Sequence, residues 1–140
     1  EDYYKMVEKE TPSNAVARIQ RTACFGRCPI YTLTVFNDGR VEYFGKKFTP
    51  REGRFSSKVL VETIDQLKKY AIEIDYFNLA SVYDKQTVTD VPSIITSVRG
   101  EAGLKTVVNR FDGPDELRRF EKFFDRLFEE LEWTPIGSEE

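Results

Sequence analysis

The sequence contains no histidine, which removes the commonest general base and the usual nitrogen ligand of protein metal sites. Nucleophilic catalysis of the serine–histidine or cysteine–histidine type is therefore excluded. No apolar run approaches the roughly 18–20 residues that span a bilayer, and the first ten residues are too polar for a signal peptide. Because the chain also begins without methionine, we expect a trimmed product whose targeting segment has been removed.

The remaining composition is that of a globular domain. Of the 140 residues, 40% are hydrophobic and 32% are charged, and phenylalanine and tyrosine are plentiful. A chain of this length most simply folds as one domain with its own core. We expect an N-terminal arm over residues 1–14, a single domain over residues 15–133 and a C-terminal tail over residues 134–140.

Charge is distributed unevenly along the chain. Residues 15–58 contain nine lysines and arginines against three acids, whereas residues 61–140 contain ten against seventeen. This asymmetry is compatible with a polyanion-binding surface or with two solvated faces of opposite sign. The candidate anion-binding residues are Arg18, Arg40, Lys46, Lys47, Arg51 and Arg54. Since no basic helix or stacking motif accompanies them, nucleic acid is not the partner we expect.

A β-hairpin is the clearest structural signal. Residues 30–36 are β-branched and aromatic with a period of two, and residues 40–45 repeat that alternation. Between them, Asn37-Asp38-Gly39 has the composition of a tight turn, in which glycine supplies a positive φ without steric cost. An earlier strand is predicted over residues 15–21, and a short edge strand over residues 54–56.

Two helices and a second hairpin complete the predicted fold. Apolar residues at helical spacing mark one helix (Leu60, Ile64, Leu67, Ala71, Ile74) and a second, opened by Gly113-Pro114-Asp115-Glu116 (Leu117, Phe120, Phe124, Leu127, Leu131). Residues 94–98 and 104–108 flank two glycines and indicate a hairpin. The order β-β-β-(β)-α-β-β-α predicts an α+β two-layer sandwich, in which an antiparallel sheet has both amphipathic helices on one face.

The two cysteines, Cys24 and Cys28, permit four interpretations. The favoured one is a structural disulfide in a tight loop, which fits an exported protein with no cysteine left over. The second is a pair of reduced, buried thiols in a cytosolic protein. The third is a redox-active pair, which would need a helix N-terminus to lower a thiol pKa. The fourth is half of a zinc site that no histidine completes. We expect no metal and no cofactor.

Three further groups are candidates for contacts or chemistry. Phe25, Arg27 and Tyr31 lie in or beside the cysteine loop and are candidate partner contacts, although surface solvation also explains Arg27. Asp84 and Asp90 flank a loop and could act as an acid–base pair or bind a cation, but loop acids more often cap turns. An aromatic set, which could line a pocket but at strand spacing favours core packing, comprises Tyr31, Tyr43, Phe44, Phe48 and Phe55.

Three short stretches resemble motifs of a family of uncharacterised bacterial domains of unknown function. They are T-x-C-F-G-x-C-P-x-Y over residues 22–31, D-G-x-V-x-Y-x-G over residues 38–45 and T-D-x-P over residues 89–92. The resemblance covers roughly residues 15–131. It implies an exported, periplasmic or cell-envelope protein, often a lipoprotein, whose lipid-bearing cysteine would lie upstream. It implies no activity and no catalytic residue.

These observations favour a non-enzymatic exported domain that binds an unknown protein or envelope ligand through its open sheet face or the Cys24–Cys28 loop. A thiol-redox or thiol-transfer protein that uses the two cysteines is the first alternative. The second is a polyanion-binding module, for which binding to heparin would weaken steeply with added salt.

Overall fold

The computed structural model describes residues 2–24, 26–85, 87 and 91–136. Three α-helices are present within these ranges: α1 Tyr3–Glu10, α2 Val61–Glu73 and α3 Asp115–Phe128. The strands are β1 Ala15–Arg21, β2 Ile30–Phe36, β3 Arg40–Lys47, β4 Gly53–Lys58, β5 Val82–Tyr83, β6 Ile94–Gly100, β7 Gly103–Asn109 and β8 Thr134–Pro135. In the described part of the chain, no helix is long and apolar enough to cross a membrane.

All eight strands form one sheet in the order β5-β7-β6-β1-β2-β3-β4-β8. Every neighbouring pair is antiparallel except β5 and β7, which run parallel. Both predicted hairpins, β2–β3 and β6–β7, are present. Strand β1 lies between them, paired with β2 on one side and with β6 on the other. The predicted α+β class with antiparallel hairpins is confirmed.

The main core lies between α2, α3 and one face of the sheet, which we call the inner face. The alternation of β2 and β3 places Leu33, Val35, Val41 and Tyr43 there. Strands β1, β6 and β7 add Ile19, Val98 and Val107, and the helices contribute Ile64, Leu67, Ala71, Leu117, Phe120, Phe124 and Phe128. Burial of these apolar side chains is the dominant contribution to folding. Leu60, predicted to join the α2 stripe, is 72% exposed because the helix begins at Val61.

The opposite face of the sheet, the outer face, is covered by α1 over β6 and β7. Val7 is buried there against Ile95 and Val108, which point away from the inner face because strand side chains alternate. The Thr11 hydroxyl donates a 2.7 Å hydrogen bond to the Val7 carbonyl and satisfies one of the last carbonyls of α1. The apolar stripes predicted two helices, both on one face of the sheet. The structure has a further helix, α1, which lies on the other face.

Two glycines are required by the β2–β3–β4 region. Gly39 has a φ of 93°, a conformation that residues with a Cβ rarely adopt, and it closes the predicted hairpin turn. Gly45 allows the connector between β3 and β4 to approach closely, because a Cβ there would overlap the Arg51 carbonyl oxygen. Glycine is therefore needed at one position for its backbone conformation and at the other for space.

Candidate functional site: a cleft beside the disulfide loop

Cys24 and Cys28 form a disulfide in the loop between β1 and β2, with their Cα atoms 5.7 Å apart. The prediction that the two cysteines pair with each other is confirmed by this geometry. The loop joins two strands, so neither sulfur lies at a helix N-terminus, where a thiol pKa is commonly lowered. Gly26 and Arg27 are exposed at the tip of the loop, whereas both cysteines are half-buried.

The loop is tied to the segment before β6 by Thr22. The Thr22 backbone N–H donates to the Ser93 carbonyl at 3.1 Å, and the Ser93 N–H donates to the Thr22 hydroxyl at 2.8 Å. This reciprocal pair joins residues that are 71 positions apart in sequence. It holds the disulfide loop and residues 91–93 on two sides of one cleft.

A second link fastens β1 and β2 to α3. Arg21 donates to both Asp125 and the Tyr31 hydroxyl, at 2.5 Å and 2.7 Å, and the Tyr31 hydroxyl donates to Asp125 at 2.5 Å. Burial raises the pKa of Tyr31, and the neighbouring Asp125 carboxylate raises it further. The phenol therefore remains a hydrogen-bond donor throughout the ordinary pH range.

These links surround a cleft of about 470 Å³ at one end of the sheet. Its walls are largely apolar and come from separate parts of the chain: Cys28, Pro29, Val91, Pro92, Ile94 and Phe111. Asn109 at the end of β7 and Glu121 on α3 supply polar groups to the same cleft. A concave site with mainly apolar walls and a few polar groups is typical of ligand-binding sites.

Glu121 is the buried ionisable group of the cleft. It is only 2% exposed, and its Oε2 accepts a 2.9 Å hydrogen bond from the Asn109 amide. The carboxyl makes no other hydrogen bond to any described residue. Burial raises its pKa to about 7, although Asn109 and the Arg21 and Arg118 guanidinium groups act in the opposite direction. The nearby Asp125 carboxylate raises the pKa further.

The three arginines that line the cleft are already paired with carboxylates. Arg21 pairs with Asp125 at 2.5 Å, and Arg110 pairs with Asp84 at 2.6 Å. Arg118 pairs with Asp115 and also donates to the Gly113 carbonyl at 2.5 Å.

Two further carboxyl groups, Glu121 and Asp112, belong to the lining. Over the described ranges, Glu121 and Asp112 form no ion pair. With the three partner carboxylates included, the charged groups around the cleft are three guanidinium groups and five carboxyl groups, and Glu121 is only partly ionised near pH 7.

The candidate partner contacts from the loop have different surroundings. The guanidinium of Arg27 lies 4.7 Å from the centre of the Phe48 ring at the surface. Tyr31 is half-buried, and its hydroxyl is engaged by Arg21 and Asp125. Phe25 lies outside the described residues. A partner at this loop stays a prediction.

The candidate anion-binding residues are divided between the two faces of the sheet. Strand alternation and pairing place Arg18, Arg40 and Arg54 on the outer face, where Arg40 pairs with Glu42 and Arg54 lies 4.4 Å from the Phe44 ring centre. Arg51 instead lies over Trp133, which packs against the core of the inner face.

The environments of the remaining basic side chains also differ. Burial lowers the pKa of Arg18, and Lys46 and Lys47 are exposed. Polyanion binding stays a prediction, which heparin affinity at two salt concentrations tests.

The other candidate groups are also separated. Asp84 pairs with Arg110, whose hydrogen bond lowers the pKa of the carboxyl, and Asp90 lies outside the described residues. Tyr31, Tyr43 and Phe55 pack together, with the Tyr31 and Tyr43 ring centres 5.5 Å apart. These three rings take part in core packing, the alternative interpretation of the aromatic set.

Glu121, Asn109 and Asp125 were not among the site residues predicted from the sequence. The sequence did contain a signal for Glu121, because this residue lies four positions after Leu117 and borders the apolar stripe of α3. A carboxylate at the edge of such a stripe is often solvated, and only the position of β7 shows that Glu121 is buried.

Comparison with known proteins places the chain in a family. No curated protein and no solved structure shows significant similarity to it. A family model described as a domain of unknown function (DUF6438) matches residues 16–128, from the second residue of β1 to the last residue of α3. The matched region contains the disulfide loop, both hairpins and the cleft. The chain therefore belongs to the DUF6438 family of domains of unknown function.

Proposed function

We propose that this chain is an exported, non-catalytic binding domain whose ligand site is the cleft beside the Cys24–Cys28 loop. The disulfide supports an oxidising compartment, where such bonds form and persist. The resemblance of its three motifs to those of exported bacterial domains favours the periplasm or cell envelope, with a lipid-bearing cysteine upstream. Fractionation of the source cells, followed by immunodetection, tests this location; recovery in the cytoplasmic fraction alone would contradict it.

The incomplete hydrogen bonding of Glu121 carries the proposal. Buried carboxyl oxygens normally have hydrogen-bond partners. The second oxygen of Glu121 is not among the fully buried atoms that lack a partner, so it is accessible rather than enclosed in the core. Here Asn109 satisfies one oxygen, and the group lines an open cleft. A ligand with a hydrogen-bond donor would complete the set.

Binding is better supported than nucleophilic catalysis. A nucleophile and its general base lie within hydrogen-bond reach of one another in most such enzymes. No serine, threonine or cysteine side chain hydrogen-bonds Glu121 in the described part of the chain. Thr22 and Cys28, which line the same cleft, are engaged with Ser93 and Cys24, respectively.

Chemical-shift mapping of the oxidised protein tests this proposal. A library of small amines, carboxylates and neutral amides is added to ¹⁵N-labelled protein, and we expect the largest shifts at Asn109, Gly113 and Ser93. Val91→Trp fills part of the cleft and should reduce these shifts. Met6→Trp, at an exposed position on α1, is the matched control and should leave them unchanged. Shifts confined to the outer face of the sheet would contradict the cleft as the binding site.

A thiol-transfer function is the second candidate, because Cys28 itself lines the cleft. In that reaction an incoming thiolate attacks one sulfur, the other sulfur leaves as a thiolate, and a mixed disulfide forms. Alkylation followed by intact-mass measurement separates the two functions. A structural bridge should remain unlabelled until strong reductant and denaturant are both present, whereas labelling after mild reductant alone would favour thiol transfer.

A further inference from the structure

The charges around the cleft restrict the ligand that it can bind. All three arginines of the lining are paired with Asp125, Asp84 or Asp115. An anionic ligand would have to share a guanidinium group with a carboxylate that already neutralises its charge. Glu121 and Asp112, in contrast, form no direct ion pair with any described residue, although Arg21 and Arg118 act on Glu121 from a longer distance. Charge complementarity at the cleft therefore favours a cation.

The position of Glu121 also favours a cation over a neutral donor. A hydroxyl group could donate to the oxygen that Asn109 leaves free, but it would not compensate the negative charge that Glu121 carries when it is ionised. An ammonium group does both, because it donates hydrogen bonds and carries the opposite charge. The apolar walls formed by Pro29, Val91 and Pro92 would accept a short hydrocarbon chain.

We propose that this cleft binds a small alkylammonium compound, whose nitrogen donates to the free oxygen of Glu121 while its hydrocarbon chain lies along Pro29, Val91 and Pro92. Asp112, exposed at the cleft, adds long-range attraction. This inference rests on the proposed function, since it names the ligand class for the same cleft.

Protonation of Glu121 provides an internal check. Its carboxyl faces Asn109 of β7 and lies in the field of Arg21, Arg118 and Asp125, and its pKa is raised to about 7 mainly by burial. An alkylammonium group stays protonated to about pH 10, so Glu121 is the group that changes charge near neutrality. The ionised fraction of Glu121, which is the form that binds the cation, rises from about one-tenth at pH 6 to about nine-tenths at pH 8. The apparent Kd for an alkylammonium compound should therefore fall about tenfold.

The test uses three probes of matched length: pentylammonium, pentanol and pentanoate. Each is titrated into the oxidised full chain at pH 6 and pH 8 and followed by amide chemical shifts. We expect pentylammonium to bind most tightly, about tenfold better at pH 8, with shifts at Asn109 and Gly113. Glu121→Gln should abolish this preference, whereas Glu116→Gln, exposed on the same helix, should preserve it.

A second variant keeps the test valid if Glu121→Gln does not fold. Asp112 has a φ of 64°, which asparagine also tolerates, so Asp112→Asn should fold normally. We expect it to weaken pentylammonium binding about two- to fivefold, as for the loss of one exposed charge.

The remaining outcomes separate the two proposals. Equal or stronger binding of pentanol or pentanoate at the cleft would overturn the cation inference and leave the cleft as a ligand site. If none of the three probes shifts cleft residues, the cation inference fails. The proposed function fails with it only if the wider library also produces no cleft shifts.

Discussion

The Tyr31 hydroxyl donates a 2.5 Å hydrogen bond to Asp125 and joins the second residue of β2 to α3 across 94 positions of sequence. Arg21 donates to both groups, so three elements meet at one polar junction beside the cleft. The junction ties α3, which carries Glu121, to the two strands that flank the disulfide loop.

Tyr31→Phe should therefore destabilise the fold. The substitution removes both hydrogen bonds of the hydroxyl, one donated to Asp125 and one accepted from Arg21, but leaves the Arg21–Asp125 pair. We therefore expect a loss of about 2–3 kcal/mol in the free energy of unfolding. Urea denaturation measures this loss. Tyr3→Phe, at an exposed position on α1, is the control and should change stability by less than about 0.5 kcal/mol. Equal effects of the two variants would contradict a stabilising role for the junction.

Replacement of Cys24 and Cys28 by serine should also lower stability. Without the disulfide, the unfolded chain regains the conformational freedom that closure of this loop removes. By the chain-entropy model, this lowers the free energy of unfolding by about 2 kcal/mol. The double variant and the wild-type protein under strong reductant should show the same urea midpoint. If the oxidised protein is no more stable than the variant, the disulfide is not a structural bridge.

Stability should depend on pH through Glu121. Its pKa is about 7 in the folded protein, above the ordinary value of 4.5, so the folded state binds the proton more tightly than the unfolded state. Protonated Glu121 therefore stabilises the folded state by at most about 3 kcal/mol. This contribution is complete below about pH 4.5 and is lost as the pH rises through about 7.

Glu121→Gln removes this titration and keeps an acceptor for Asn109. The difference in unfolding free energy between variant and wild type, measured by urea denaturation from pH 4 to 9, should shift in favour of the variant between pH 4.5 and 7. It should be constant above pH 8. A difference that does not vary with pH would show that Glu121 titrates normally.

Gly45→Ala tests the close approach of the β3–β4 connector. A Cβ at this position overlaps the Arg51 carbonyl, so the connector must move, and we expect a loss of about 1–3 kcal/mol. Gly103→Ala provides a comparison, because Gly103 has a φ of 118° but open space around it. The Gly103→Ala variant therefore measures the free-energy cost of the backbone conformation alone, with no steric overlap. A Gly45→Ala variant as stable as the wild type would show that the connector has room to adjust.

Much of the local structure was predictable from the sequence. The alternation of β2 and β3 around Asn37-Asp38-Gly39 specified a hairpin, and helical spacing of apolar residues identified α2 and α3. Both signals depend on neighbouring residues only. Strands β5 and β8 were missed because each has two residues, too few to show any period.

The cleft was less predictable, because its residues come from distant parts of the chain. Cys28 was a candidate from the sequence as one of the two cysteines, but nothing near Glu121 in the sequence indicates that it reaches the same cleft. Its burial depends on Asn109 at the end of β7 and on the packing of Leu117 and Phe120 against the sheet.

Local sequence patterns were enough to specify the hairpins, the two main helices, the proximity of the two cysteines and the lack of histidine chemistry. The position of β1 between β2 and β6, the covering of the outer face by α1 and the burial of Glu121 beside the disulfide loop became evident only in the folded chain. The reason is physical: backbone periodicity acts over a few residues, whereas strand order and burial depend on the combined packing of surfaces that the chain brings together only when it folds.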